Sequence, residues 1–257
     1  MRYPSFGDVG QVFDPWVYLG FIAAHTSTIA LGTASIAIPL RNPLHTAKAA
    51  ASVDQLSGGR FLMGVASGDR PVEFPAFDVD PDQRGDIFRE HLEVIRNAQR
   101  TSFEPLQWSR GRLENADLIP KPTTNEIPFF VTGNSRQSIE WIARESSGWI
   151  TYPRAPQLQK TMVANWREAV RAQSGDTYKP FLQSLYIDLD VRPDAPPVPI
   201  HLGYRLGRNH LLALLESLES IGVDHVILNL KYGHRPASEV IDELGSYIVP
   251  RFTAHSP

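Results

Sequence analysis

Six short apolar runs rich in β-branched and aromatic residues recur along the chain, with helix-period segments between them. The runs cover residues 29–38, 61–66, 127–132, 148–152, 181–190 and 223–230. Their near-continuous apolar character predicts strands buried on both faces. Helical patterns stand at 14–25, 43–56, 83–101, 136–145, 157–173, 207–221 and 238–248. Ser57-Gly58-Gly59 reads as a helix end and Ser135 as a helix start. Strand, helix, strand in this order predicts an α/β fold with parallel pairing and helices outside.

The number of strands then decides the architecture. A (β/α)8 barrel closes with eight strands, whereas six fit an open doubly wound sheet. That second fold carries a glycine-rich phosphate loop after its first strand, and no GxGxxG opens this chain. The opening "MRYPSFGDVGQVFDP" reads as a loop entering a helix. Residues 67–126 are too long for one crossover helix and read as an excursion carrying part of a pocket. The expected organisation is one domain, 1–257.

Composition narrows the chemistry. A net charge of -3 and a pI near 6.2 carry no basic footprint for nucleic acid. The cysteine count of 0 removes disulfides, thiolate metal sites and a thiol nucleophile, and fits a cytoplasmic setting. "MRYPSFGDVG" lacks the apolar core of a secretory signal. No apolar run reaches the roughly 18 residues of a membrane span. Neither HExxH nor GxSxG occurs, so the sequence points to no zinc or iron site and no serine-hydrolase elbow.

Four stretches hold candidate binding residues. In "IALGTASIAIPLRNP" the strand surrenders its large side chains at Gly32-Thr33-Ala34-Ser35. Taken alone, this is either a bulge or a close approach of something flat to the backbone. "GVASGDRPVE" ends a strand with Ser67 and Gly68, followed by Asp69, Arg70 and Glu73, which suit substrate or a solvated ion cluster equally. "VTGNSRQS" offers Gly133, Asn134 and Ser135 ahead of a helix whose free amides attract anions. "WITYPRAP" puts Tyr152 and Arg154 after another strand. Asp54 is expected buried, with Arg60 as its partner.

The run "IALGTASIAIPLRNPLHTAKAAASVDQLSGGRFLMGVASGD" resembles the bacterial-luciferase-like flavin-dependent monooxygenases and oxidoreductases. "IPFFVTGNSRQSIEWIARESSGWITYP" and "IGVDHVILNL" resemble the same family in order and spacing. The resemblance implies a luciferase-like (β/α)8 TIM barrel whose first two strands are missing from this chain. Omitted or truncated residues ahead of Met1 are favoured over a short variant, since an open barrel exposes sheet edges. It further implies FMN, with deazaflavin F420 as the alternative cofactor. Reduced flavin from a separate reductase, O2 and a small organic substrate complete the implied reaction. A non-catalytic flavin-binding protein with an incomplete barrel is the competing reading.

Carried over residue by residue, the resemblance places the flavin ring on Ala34 and Ser35, often with a non-prolyl cis peptide there. Ser67 and Gly68 face the site, Gly133, Asn134 and Ser135 cradle the FMN phosphate, and Tyr152 and Arg154 line ring or phosphate. No catalytic residue is assigned, because the family's second-strand histidine has no counterpart here. A homodimer is implied, with "DPWVYLGFIAAH" as the candidate face.

Overall fold

The computed structural model describes residues 13–252, so the N-terminal loop reading, apart from its last three residues, falls outside the described residues. The chain divides into two compact units, Met1–Ser147 and Gly148–Pro257.

The first unit opens with α1 (Pro15–His25), whose Asp14 cap accepts from the Trp16 and Val17 amides at 3.0 and 3.3 Å. Val17, Tyr18 and Phe21 on α1 are exposed. Strand β1 (Leu31–Ala37) runs into a 3₁₀ turn at Ile38–Leu40. Helix α2 (Pro43–Ser57) starts at the Asn42 cap and ends at Gly58, whose φ of 67° is the left-handed value a helix stop uses. Then come β2 (Phe61–Ala66), the single turn α3 (Glu73–Ala76) and α4 (Arg84–Arg100). A small antiparallel hairpin, β3 (Leu106–Trp108) and β4 (Gly111–Leu113), lies inside the excursion at 67–126. Strand β5 (Phe129–Thr132) and α5 (Ile139–Glu145) complete the unit.

Strands β1, β2 and β5 pair in parallel in that order, and α2 packs against both α1 and α4. The expected strands are therefore present, each trimmed by up to two residues per end.

The second unit holds β6 (Gly148–Thr151), α6 (Pro156–Ser174), β7 (Phe181–Leu189), β8 (Val198–Ile200), β9 (Gly203–Leu206), α7 (Arg208–Ser220), β10 (His225–Asn229) and α8 (Ala237–Tyr247). Strand β7 is its spine, pairing in parallel with β6, β9 and β10. The amides show how one strand serves three. Trp149 donates to Pro180 O and Tyr186 donates to Leu202 O, residues of even number on β7's side of the ladder. Asp224 donates to Phe181 O, of odd number, so β10 occupies the opposite edge. Strands β8 and β9 pair antiparallel, β8 starting at the end of the Pro-rich stretch "RPDAPPVP", and the six apolar runs of the sequence include neither. Trp166, fully buried on α6, packs at 5.6 Å from Trp149 and donates its indole N–H to Lys179 O.

A candidate cofactor site at the strand ends

The small-residue stretch of β1 is a bulge. Thr33 pairs with Met63 and Ile36 with Val65, so Ala34 and Ser35 together oppose Gly64 alone. The extra residue pushes the β1 carbonyls over β2. A Cβ on Gly64 would meet Thr33 O at 2.2 Å and Ala34 O at 2.6 Å, so only glycine fits. Thr33 closes the contact reciprocally, its hydroxyl donating to Gly64 O and accepting from Gly64 N–H, both at 2.9 Å. Thr132 on β5 donates its hydroxyl to Ala34 O, which locks three strands at one point. Ala34 and Ser35 themselves remain exposed. Among the described residues the cis peptide is Ile119–Pro120, so the Ala34–Ser35 bond is trans, and the expected non-prolyl cis peptide is corrected to a bulge.

The ends of β2 and β5 are tied as tightly. Ser67 N–H donates to Ser135 Oγ at 3.2 Å, and Ser135 Oγ donates to Thr132 O at 2.8 Å. Ser67 and Ser135 are buried, Gly68 is half-buried with a φ of 88°, and Gly133 with a φ of 59°. Asn134 is exposed.

The phosphate reading at the following helix needs correction. Ser135 and Arg136 both adopt left-handed φ, 46° and 62°, and this delays the helix to Ile139. Its cap is Ser138, whose hydroxyl accepts from Trp141 N–H, and α5 has only 7 residues. Ser135 is thus a tie between strands, not a cap. The loop packs instead on the first turn of α4, where Gln137 Nε2 donates to Gly85 O at 2.9 Å and Arg89 donates to Gln137 Oε1 at 3.2 Å.

Tyr152 and Arg154 follow β6 in the second unit, and both are exposed. Further along that unit, the end of β7 carries a group the sequence reading passed over. Asp188, buried, receives the His234 backbone N–H at 3.0 Å and His234 Nδ1 at 2.6 Å. Arg205 stands 3.7 Å away. A carboxylate can only accept, so Nδ1 carries the proton and the exposed ring presents Nε2 outward. Nearby Asp190 is held down to about 2 by the Arg192 guanidinium, then by the Arg192 amide and by Arg205. The 46 residues between His234 and Asp188 hide this pairing from any local pattern in the sequence.

Asp54 is also corrected. Its buried carboxylate accepts from the Thr123 amide and hydroxyl at 2.7 and 2.8 Å, not from Arg60. Arg60 instead donates to the carbonyls of Ser57, Ile29 and Thr26. The charges after Gly68 form a loose pair, Arg70 to Glu73 at 3.9 Å. Among the described residues no group of three or more His, Asp or Glu side chains is placed to hold a metal, and no helix is long and apolar enough to cross a membrane.

Residues 3–187 match the family model for luciferase-like monooxygenases. This chain belongs to that family. An uncharacterized protein of Mycobacterium tuberculosis is 34% identical over 161 residues, 59% of this chain and 57% of its own length. The alkanal monooxygenase beta chain of Photorhabdus luminescens is 28% identical over 141 residues, 54% of this chain and 44% of its own. The chain therefore spans about half the length of the relatives it matches. An F420-dependent secondary alcohol dehydrogenase superposes with a TM-score of 0.81 at 18% identity, covering 98% of this chain and 88% of that one. The fold is accordingly α/β of the luciferase-like TIM-barrel type, as its parallel strands and crossover helices lead one to expect.

The luciferase-like fold implies a flavin-type cofactor, and the strand ends test the fit. On the ring side it is good: the bulge leaves Ala34 and Ser35 exposed, and both side chains are small. The Ser35 hydroxyl and the Asn134 carboxamide supply exposed donors and acceptors for ring edge or phosphate. The dipole of α5 does not contribute, since the helix is short and caps itself.

Proposed function

We propose that the protein is an oxidoreductase of the luciferase-like class that holds FMN at the ends of β1, β2 and β5 and acts on a small organic substrate. The observation that carries this reading is the Ala34–Ser35 bulge, locked over Gly64 by Thr33 and Thr132 while its own side chains stay exposed. Family membership supports it, and relatives named as monooxygenases agree with it. FMN supplies the redox chemistry when bound, with O2 as oxidant and a separate reductase as electron source. The chain contributes a rigid seat. Ser135 ties β2 to β5, Thr132 ties β5 to β1, and neither strand end can drift while the cofactor is held. Ser35 and Asn134 orient the group through hydrogen bonds.

The test is a fluorescence titration of the full chain with oxidised FMN, reduced FMN and F420. Saturable FMN binding is expected. Ala34→Phe, at an exposed position that unfolding does not threaten, is expected to abolish it. Asn134→Asp is expected to weaken FMN about tenfold by setting a carboxylate near phosphate, and riboflavin much less. Binding of F420 alone moves the cofactor within the class. Binding of neither overturns the proposal.

A further inference from the structure

The C-terminal end of β7, in the second unit, carries a histidine that is fixed but not covered. Tyr186 and Asp188 stand two apart on β7 and share a face. Leu185, Ile187 and Leu189 face the other way, into the core with α7 and α8. The loop after β10 folds back over the first face. Within it Lys231 N–H donates to Asn229 Oδ1 and Gly233 N–H to Leu230 O, both at 2.9 Å. Arg235, the residue after His234, is anchored on Glu243 at 2.7 Å. The backbone that carries His234 is thus held on both sides.

Asp188 spends both oxygens on this one residue. Oδ1 accepts the His234 amide at 3.0 Å and Oδ2 accepts Nδ1–H at 2.6 Å. Arg205 Nε, 3.7 Å from Oδ2, is too far for a hydrogen bond. The Asp188 side chain is 5% exposed and that of His234 is 78% exposed. The amide bond alone would anchor the loop. The second bond adds something an anchor does not need: it fixes the ring in one tautomer, with the Nε2 lone pair turned to solvent. An imidazole oriented by a buried carboxylate is the working arrangement of acyl-transfer chemistry. Tyr186 and Tyr232, each two residues from the pair, form an aromatic shelf with ring centroids 5.2 Å apart. The His201 ring joins them at 6.1 and 6.2 Å. Both tyrosines are half-buried and His201 is exposed, so the shelf is open to a ligand.

We propose that His234 Nε2 is a nucleophile for acyl transfer and gives the protein a hydrolytic activity on small aryl esters. The aryl group of the ester packs on Tyr186 and Tyr232. Nε2 attacks the carbonyl carbon, the bond to the aryl oxygen breaks, and the aryloxide leaves with the electron pair. The acylated ring is a cation whose charge faces Asp188 through Nδ1–H. Water then attacks the acyl carbon and the C–N bond breaks. The carboxylate leaves, the protons of that water pass to solvent, and the neutral ring returns. His234 reacts and Asp188 positions it. The activity needs no flavin and is independent of the cofactor seat.

The test uses the full chain without cofactor and 4-nitrophenyl acetate, followed by the colour of released 4-nitrophenolate. His234→Gln, at an exposed side chain, is expected to lower the rate about tenfold. His210→Gln, which removes an exposed histidine away from Asp188, is expected to leave it unchanged. Tyr232→Leu is expected to raise KM about threefold with kcat unaltered, because only the shelf is lost. Asp188→Asn separates positioning from anchoring. The single oxygen of asparagine cannot serve both the His234 amide and Nδ1, so with the oxygen on the amide its NH2 faces Nδ1 and the ring proton moves to Nε2. The ¹⁵N signals of the His234 ring are expected to exchange their protonated and unprotonated positions in this variant, with an about tenfold slower rate. A His234→Gln rate equal to that of the parent overturns the proposal. So does an Asp188→Asn variant whose ring proton moves while the rate stays.

Discussion

A Cβ placed on Gly64 would lie 2.6 Å from the carbonyl oxygen of Ala34, closer than any real side chain approaches backbone. The bulge at Ala34 leaves room for no side chain at position 64, which is the steric reason for glycine there. Gly64→Ala is expected to destabilise the protein by about 3 kcal/mol, because the obstructing atoms are backbone and cannot rotate away. Gly245→Ala is the control. That helical glycine on α8 has nothing within 4 Å, so alanine there is expected to stabilise by about 0.5–1 kcal/mol. Urea midpoints of the two variants, compared at constant slope, check both signs.

Ser135→Ala removes the tie between β2 and β5. It leaves Ser67 N–H without its acceptor and Thr132 O without its donor, both at buried positions. A loss of about 1–3 kcal/mol is expected. FMN affinity measured on the same variant should fall as well, since the tie sets the shape of the proposed seat. A variant that keeps full stability removes the role given to this hydroxyl.

Thr123→Val tests the burial of Asp54. The carboxylate is 3% exposed and relies on Thr123 for two hydrogen bonds, of which the hydroxyl supplies one at 2.8 Å. Valine keeps the shape and deletes the donor, with an expected cost of about 1–3 kcal/mol in chemical denaturation. Arg60→Lys is expected to leave Asp54 undisturbed, because the guanidinium serves carbonyls instead.

Acid sensitivity has a named source in Asp190. Its carboxyl titrates at about 2 in the folded protein, against an ordinary value of 3.8, because Arg192 bonds it through side chain and amide. The unfolded chain therefore binds the proton first as pH falls. The contribution to stability is complete above about pH 5 and is lost progressively as pH drops through 3.8 towards 2. Asp190→Asn is expected to be less stable than the parent at pH 6 and to converge with it near pH 2. Parallel unfolding curves over this range decide the point; a gap that stays constant with pH contradicts it.

The amino-acid sequence by itself determined the order of the six apolar strands β1, β2, β5, β6, β7 and β10 and of the helices around them, but not the short strands β3, β4, β8 and β9. Apolar runs such as Phe61–Ala66 and the helix-period pattern around Arg84–Arg100 are local signals, since each depends on which face of one element avoids water. The same holds for Gly58, whose stop signal is written in three adjacent residues. The small residues of the proposed seat stand out in the sequence as a run, because side-chain size is visible without coordinates. Even the choice at Ala34–Ser35 was visible as a choice between bulge and flat contact.

Only the tertiary structure decided what those residues do, because their partners lie far along the chain. Gly64 meets Thr33 across 31 residues, Thr132 reaches Ala34 across 98, and Asp54 finds Thr123 across 69. The start of α5 was misread for a related reason. Ser135 has the chemistry of a cap, but its hydroxyl is drawn into the strand ends 68 residues away at Ser67, and Ser138 caps in its place. His91 shows the same limit from the other side. On α4 it stands in an apolar stripe with Ile87, Leu92 and Ile95, and nothing local marks it out. Its ring nitrogen Nδ1 meets Ile38 O, 53 residues distant, and Nε2 is buried without a protein partner among the described residues. Periodicity follows from what one segment does with water, whereas hydrogen-bond pairing follows from which segments the fold brings together.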